Sequence, residues 1–255
     1  MNFLAVMGGA LTYEFRMQVR RPSLWLVLIL VNFLDFGLWL LFSSNSTTPA
    51  YDAILYLVQF MAWFMPLCAG LVLADRLARD KKTHFDELLD TYPGSLAGRL
   101  AGKYLGSTLA TLVPIVLLYA TGVAYTALHW HAIGALFLAI GAFAAIMLPA
   151  IFFVAGASIA FPAILNVPIY QILFVGYWFW ANLLPPRFRV PSLISTMLNA
   201  TGPWAFAAFF HFPWVFLNLH LTVLQGIESV TLLTGLGIGA IVAAWGYLRW
   251  RQAHR

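Results

Sequence analysis

Charged residues are scarce in this chain. Only 9% of its 255 residues are Asp, Glu, Lys or Arg, whereas a soluble domain has about 25%. So few charges could not cover the surface of a soluble globule of this length, which excludes that class of protein. There is a single cysteine, Cys68, and one thiol excludes a disulfide within the chain.

Catalytic and nucleotide-binding motifs are also lacking. The nearest approach to a phosphate-binding loop, residues 98–103, has one residue too few between its glycines, and Tyr104 stands where Ser or Thr would meet magnesium. The histidines form no His-Glu-x-x-His pattern, and we interpret them as interfacial side chains rather than metal ligands. An intramembrane enzyme would need a converging set of reactive side chains, which we do not find. We therefore expect no catalytic residue, no metal and no cofactor in this chain.

Long apolar runs, in contrast, fill most of the sequence. Each approaches or exceeds the ~20 residues that cross a ~30 Å hydrocarbon core as a helix. Helices are expected because every backbone N–H and C=O must find a partner inside the bilayer. The runs are too long for the strands of an outer-membrane barrel. We predict an all-α integral membrane protein whose residues 1–255 form one domain with six spans, at residues 23–43, 51–74, 103–128, 132–160, 167–184 and 229–248.

The basic residues indicate the orientation. With six spans both termini lie on one side of the membrane, and that side would hold 12 of the 14 Lys and Arg residues. The positive-inside rule makes it the cytoplasmic side. These charges flank apolar runs of membrane length, so we do not interpret them as a nucleic-acid site. The expected location is the cytoplasmic (inner) membrane of a prokaryote, with both termini in the cytoplasm.

Residues 1–22 form a mixed apolar and charged stretch before the first span. Their apolar residues recur at helical spacing, which predicts an amphipathic helix lying in the cytoplasmic interface, with arginines near lipid phosphates. Pro22 separates this helix from the first span. The residues that we expect at the interface are Tyr13, Glu14, Arg16, Arg20 and Arg21.

Residues 75–102 form the only sizeable polar segment, and they contain five of the nine acidic residues. Within this cytoplasmic loop we predict a short helix at residues 82–90 that is polar except for one face. Residues 92–95, Tyr-Pro-Gly-Ser, end it. The residues of this helix that we single out are Lys82, Phe85, Asp86, Glu87, Leu88 and Leu89.

Residues 185–228 form a long external segment that is largely apolar and aromatic. Prolines divide it into pieces of 10–14 residues or fewer, a length typical of re-entrant or interfacial segments. We predict two short helices, at residues 204–210 and 212–219, that dip in from outside. A seventh full span is the rival interpretation, but it would place the basic C-terminus outside.

One carboxylate, Asp35, lies deep in a predicted span. An ionised Asp there costs about 2.5–3.5 kcal/mol on insertion scales, so we expect it to face the protein interior near polar partners such as Asn32. A proton-coupling role and a structural or pathway-lining role both remain open. Gln59, Gln171 and Asn182 are further candidates for lining a pathway, against the simpler interpretation that they connect helices.

The order of these features resembles the type-2 ABC exporter permease family (ABC-2). The resemblance covers essentially the whole chain and is most specific at residues 75–106, where the charged loop, the short helix, the Pro-Gly-Ser turn and the Gly102-Lys103-Tyr104 entry to span three follow one another. The terminal spans match only in layout.

The resemblance implies a function. In that family two six-span subunits pair, and each binds a cytoplasmic ATPase subunit through a coupling helix after span two. Carried over, residues 82–90 would be the coupling helix, and two copies of the ATPase would bind ATP and magnesium. We expect a permease subunit of an ATP-driven exporter, working by alternating access with a second, identical half. The alternative is a membrane scaffold that couples an ATPase to an external partner protein, for example in metal-site maturation, without exporting a small molecule.

Overall fold

The protein folds as a bundle of α-helices. We analysed a computed structural model, which describes residues 2–43, 49–76, 95–213, 217 and 219–254. The helices are α1 (Phe3–Val19), α2 (Pro22–Ser43), α3 (Ala50–Leu73), α4 (Leu96–His129), α5 (Ala135–Ala142), α6 (Leu148–Ala160), α7 (Val167–Trp178), α8 (Pro203–Phe210) and α9 (Val223–Ala253).

Within the part of the chain that the structure describes, five stretches of helix are long and apolar enough to cross a membrane. One of them joins α5 and α6 through a π-helical turn at Phe143–Met147. The described residues are largely helical as predicted, and five candidate spans are typical of a multi-pass membrane protein, whereas the predicted number of spans was six. The predicted span at residues 167–184 corresponds to α7, which has 12 residues and continues as a π turn at Phe179–Leu183. The five stretches are Pro22–Leu41, Ala50–Leu73, Leu96–His129, Ala135–Ala163 and Val223–Ala253.

Helix α3 lies at the centre of the bundle. It packs against α2, α4, α5 and α6, and its buried side chains include Leu57, Met61 and Met65. The indole N–H of Trp39 on α2 donates to the carbonyl of Ala53 at 2.7 Å. A buried indole N–H needs such a partner, and this bond fixes the height of α2 against the start of α3.

Glycines allow two close helix crossings. A Cβ at Gly102 of α4 would lie 2.5 Å from the carbonyl oxygen of Met7, and Gly106 is equally close to Leu11, so α1 rests directly on the backbone of α4. Gly156 of α6 faces Gly237 of α9 in the same way. Small residues at the crossing let two backbones approach closely, which is the main packing device of helices in lipid.

The segment before α9 differs from the prediction. Helix α8 matches the expected short helix at residues 204–210, but the described residues of 212–219 form no second helix. His211 ends α8 in the left-handed conformation, with φ of 50°, and Pro213 follows two residues later. A left-handed residue and a proline together stop α8 from continuing. Residues 212, 213, 217 and 219 are not helical, which contradicts the second short helix at these positions, and the rest of that prediction lies outside the described residues.

Candidate functional site

Five charged side chains from four parts of the chain meet at one end of the bundle. We call them the charged cluster: Glu14 of α1, Arg21 at the start of α2, Asp75 and Arg76 after α3, and Lys103 of α4. The cluster therefore connects α1, α2, α3 and α4. It lies at the end of the bundle where α1 meets α2 and where the polar segment of residues 75–102 follows α3.

The outer pair of the cluster is a two-point contact. Arg21 donates from Nη1 to Asp75 Oδ1 at 3.3 Å and from Nη2 to Oδ2 at 3.0 Å. A forked guanidinium–carboxylate pair fixes orientation as well as distance. The exposed fractions of the Arg21 and Asp75 side chains are 25% and 39%. Water therefore screens this pair, and its contribution to stability is modest.

The inner part of the cluster is buried. Lys103 Nζ lies 3.0 Å from Glu14 Oε1, and Arg76 Nη1 lies 3.7 Å from Glu14 Oε2. The exposed fraction of the Arg76 side chain is 1%. Charges removed from water to this degree are tolerated only when they are paired, so Glu14 depends on both cations, and they in turn depend on it.

Gln18 lies one turn after Glu14 on the same face of α1. It is fully buried, and neither atom of its amide forms a hydrogen bond with the described residues. Glu14 and Gln18 are the buried residues of α1, whereas Tyr13, Arg16 and Arg20 are exposed. The sequence prediction that Glu14 and Arg21 lie in a lipid interface is therefore incomplete, because both belong to the charged cluster.

The charged cluster flanks the polar segment of residues 77–94, which lies outside the described residues. Arg76 immediately precedes this segment, and Ser95, which follows it, begins α4 by accepting the Gly98 N–H at 3.1 Å. The predicted contact helix lies entirely within that segment, including Lys82, Phe85, Asp86, Glu87, Leu88 and Leu89.

Two of the predicted pathway residues have structural hydrogen bonds. Gln171 donates to the carbonyl of Leu71 at 3.1 Å, which joins α7 to α3. Asn182 donates to Trp178 and accepts the backbone N–H of Ala200 at 2.8 Å, which fixes the segment after α7. These contacts favour the helix-connecting interpretation for both residues.

Asp35 and Gln59 differ from that pair. Both are fully buried, and none of their side-chain oxygens and nitrogens forms a hydrogen bond with the described residues. Asn32, the expected neighbour, is only partly buried and does not bond Asp35. The contacts Trp39–Ala53 and Arg21–Asp75 set the antiparallel register of α2 and α3.

Sequence reasoning missed Arg76 and Lys103 as members of a site. The available signal was the spacing of Gly98, Gly102 and Gly106, which indicates a close partner for the start of α4. The described residues contain no group of three or more His, Cys, Asp or Glu side chains placed to hold a metal ion. Comparison of the chain with protein-family models and with curated proteins gives no match.

Proposed function

We propose that this chain is the membrane subunit of an ATP-driven exporter of the ABC-2 type, with six spans and the charged cluster on the cytoplasmic side. The observation that carries the proposal is the position of the cluster. It connects the residues directly before the segment 77–94, and the helix α4 that follows the segment, to α1 and α2 through Glu14, Arg21 and Lys103. A partner that binds this segment would therefore act on four helices together.

The physical requirement for coupling supports this. A partner can shift an equilibrium between two conformations only if it binds them differently. A loop joined flexibly to the bundle would absorb a partner's movement, whereas a loop that begins at a buried ion pair, as this one does at Arg76, passes the movement to the spans. The pairs at Glu14 are buried to the degree that makes their separation costly.

The energy would come from outside the chain. The sequence contains no phosphate-binding loop, so ATP and magnesium would be bound by two copies of a cytoplasmic ATPase, one on each half of a pair of identical membrane subunits. The sixth span would be α7 with its π turn, which together reach from Val167 to Leu183.

The docking site can be tested by charge reversal. The variant Asp86→Lys/Glu87→Lys should lose co-purification with the proposed ATPase partner, because both carboxylates lie in the predicted contact helix. Asp52→Lys is the matched control, since Asp52 lies in the first turn of α3 at the opposite end of the bundle. If the double variant retains the ATPase and substrate-stimulated ATP hydrolysis as the control does, the proposed docking site is wrong.

The topology can be tested separately. An amine reagent that does not cross membranes should fail to label Lys81 and Lys82 in intact cells and should label them after permeabilisation. Labelling from outside would place the segment 77–94 on the wrong side for an ATPase, and the transporter proposal would fail with it.

A further inference from the structure

An apolar groove runs between α6, α7 and α9. Its volume is about 680 Å³, which is in the range of sites that enclose a small ligand. Helices α6 and α9 belong to two of the five stretches able to cross a membrane, so the groove lies at membrane depth. We call it the lateral groove; its walls include Phe153, Ala157, Phe174, Tyr177, Gly235 and Gly239.

The polar atoms near the lateral groove are largely satisfied within the protein. The hydroxyl of Tyr170 is 2.8 Å from Ser158 Oγ, so this tyrosine presents its ring rather than its hydroxyl. On the α9 side, a Cβ added at Gly235 or Gly239 would meet nothing within 4 Å. The groove therefore offers open apolar space and no polar site of its own, which suits a hydrocarbon chain rather than a polar solute.

One end of the lateral groove is crossed by the segment that follows α7. The indole N–H of Trp180 donates to the carbonyl of Pro191 at 2.9 Å, and Ser229 of α9 donates to the carbonyl of Met197 at 2.9 Å. These two bonds attach the segment to both sides of the groove, and Leu198, the next residue, lines it.

That same segment carries two exposed arginines. Arg187 and Arg189 are exposed beside Phe188, which is 55% exposed, and the Arg187 guanidinium lies 5.3 Å from the centre of the Phe188 ring. Arg189 has φ of 55°, which belongs to a tight turn. Exposed arginines next to an exposed aromatic ring are typical of a membrane–water boundary, where arginine meets lipid phosphate.

We propose that the lateral groove binds one acyl chain of an anionic phospholipid whose phosphate contacts Arg187 and Arg189. The apolar walls fix where the chain lies, and the two charges select an anionic headgroup over a neutral zwitterionic one. The proposal rests on the groove and the arginine turn alone and does not depend on the transporter proposal.

Native mass spectrometry of the purified full chain tests this proposal. In mixed micelles that contain equal amounts of phosphatidylglycerol and phosphatidylcholine, the protein should retain phosphatidylglycerol preferentially. Arg187→Gln/Arg189→Gln should reduce that preference about tenfold or more, since each arginine near a charged headgroup contributes on the order of a fivefold gain. Arg249→Gln/Arg251→Gln, at the end of α9 far from Ser229, is the control and should leave the preference for phosphatidylglycerol unchanged.

The acyl-chain part of the proposal needs its own variant. Gly239→Phe should fill the lateral groove and abolish retention of both lipids, whereas Gly246→Phe, also on α9 with open space at its Cβ but outside the groove, should not. Equal retention by these two folded variants would overturn the proposal. So would an equal preference for the two lipids, or a wild-type dimer that Gly239→Phe converts to a monomer, because a second copy would then occupy the groove.

Discussion

Lys103 Nζ lies 3.0 Å from Glu14 Oε1, although two long apolar helices separate these residues in sequence. Both side chains are almost fully buried. The pair therefore joins α1 to α4 by a charge interaction that water does not screen. Lys103 lies between Gly102 and Gly106, where the backbones of the same two helices approach closely.

Removing the lysine should destabilise the protein strongly. Lys103→Met leaves Glu14 buried with only the longer contact to Arg76, and breaking a buried pair costs about 3 kcal/mol or more in the free energy of unfolding. Denaturant unfolding in mixed micelles measures this. Arg16→Met is the control. It removes an exposed cation from the same helix α1 and should change the free energy of unfolding by less than about 1 kcal/mol. The triple variant Glu14→Gln/Arg76→Met/Lys103→Met, which removes all three buried charges, should recover part of the loss. A triple variant no more stable than Lys103→Met would contradict the pairing.

A larger side chain at Gly102 should separate α1 from α4. In Gly102→Leu the new Cβ would start 2.5 Å from the Met7 oxygen and 2.7 Å from the Ala10 Cβ, and overpacking of this kind costs about 1–3 kcal/mol. A cysteine placed at Ala10, in a chain with Cys68→Ala, should react faster with a maleimide in this variant. Gly9→Leu points into open space and should not change the reaction rate. Equal rates in both variants would show that α1 does not depend on this contact.

Truncation of Asn182 should loosen the segment after α7. Asn182→Ala removes the acceptor of the buried Ala200 N–H, and an unpaired buried donor costs about 1–3 kcal/mol. Ala200 adjoins Asn199, which in turn donates to the carbonyl of Ile194, so release of Ala200 should loosen this whole segment. Proteolysis between residues 185 and 202 should therefore become faster. Asn166→Ala is the control, since Asn166 is exposed and forms no capping bond. Unchanged proteolysis in Asn182→Ala would argue against its structural role.

The sequence was sufficient for the long helices, because runs of apolar residues are read directly from hydropathy. It also placed α1 and α8 as short helices. It could not predict that Glu14 and Lys103 pair, since their partnership depends on the tertiary approach of α1 to α4. The glycine spacing that permits this approach is visible in the sequence, but it does not name the partner helix.

The same limit applies to the polar residues within the helices. Four polar residues lie in apolar runs, and no local pattern distinguishes their roles: Asp35, Gln59, Gln171 and Asn182. The structure distinguishes them. Gln171 and Asn182 form hydrogen bonds with backbone groups of neighbouring segments, whereas the side chains of Asp35 and Gln59 form none with the described residues.

Replacing Asp35 with its isostere should therefore not destabilise the protein. Asp35→Asn removes no hydrogen bond among the described residues, and a neutral amide is less costly to bury than an ionised carboxylate. We expect the free energy of unfolding to stay constant or to rise by about 1 kcal/mol. Asp75→Asn provides the contrast, because it weakens the two-point contact with Arg21 and should lower stability by about 0.5–1 kcal/mol.

The outcome for activity separates the two interpretations of Asp35. A residue kept at a cost in stability is retained for function more often than for folding. If Asp35→Asn is as stable as the wild type but loses substrate-stimulated ATP hydrolysis with the proposed ATPase partner, the carboxylate serves the proposed transport. If Asp35→Asn is instead less stable than Asp75→Asn, then Asp35 has a structural partner and the pathway role fails.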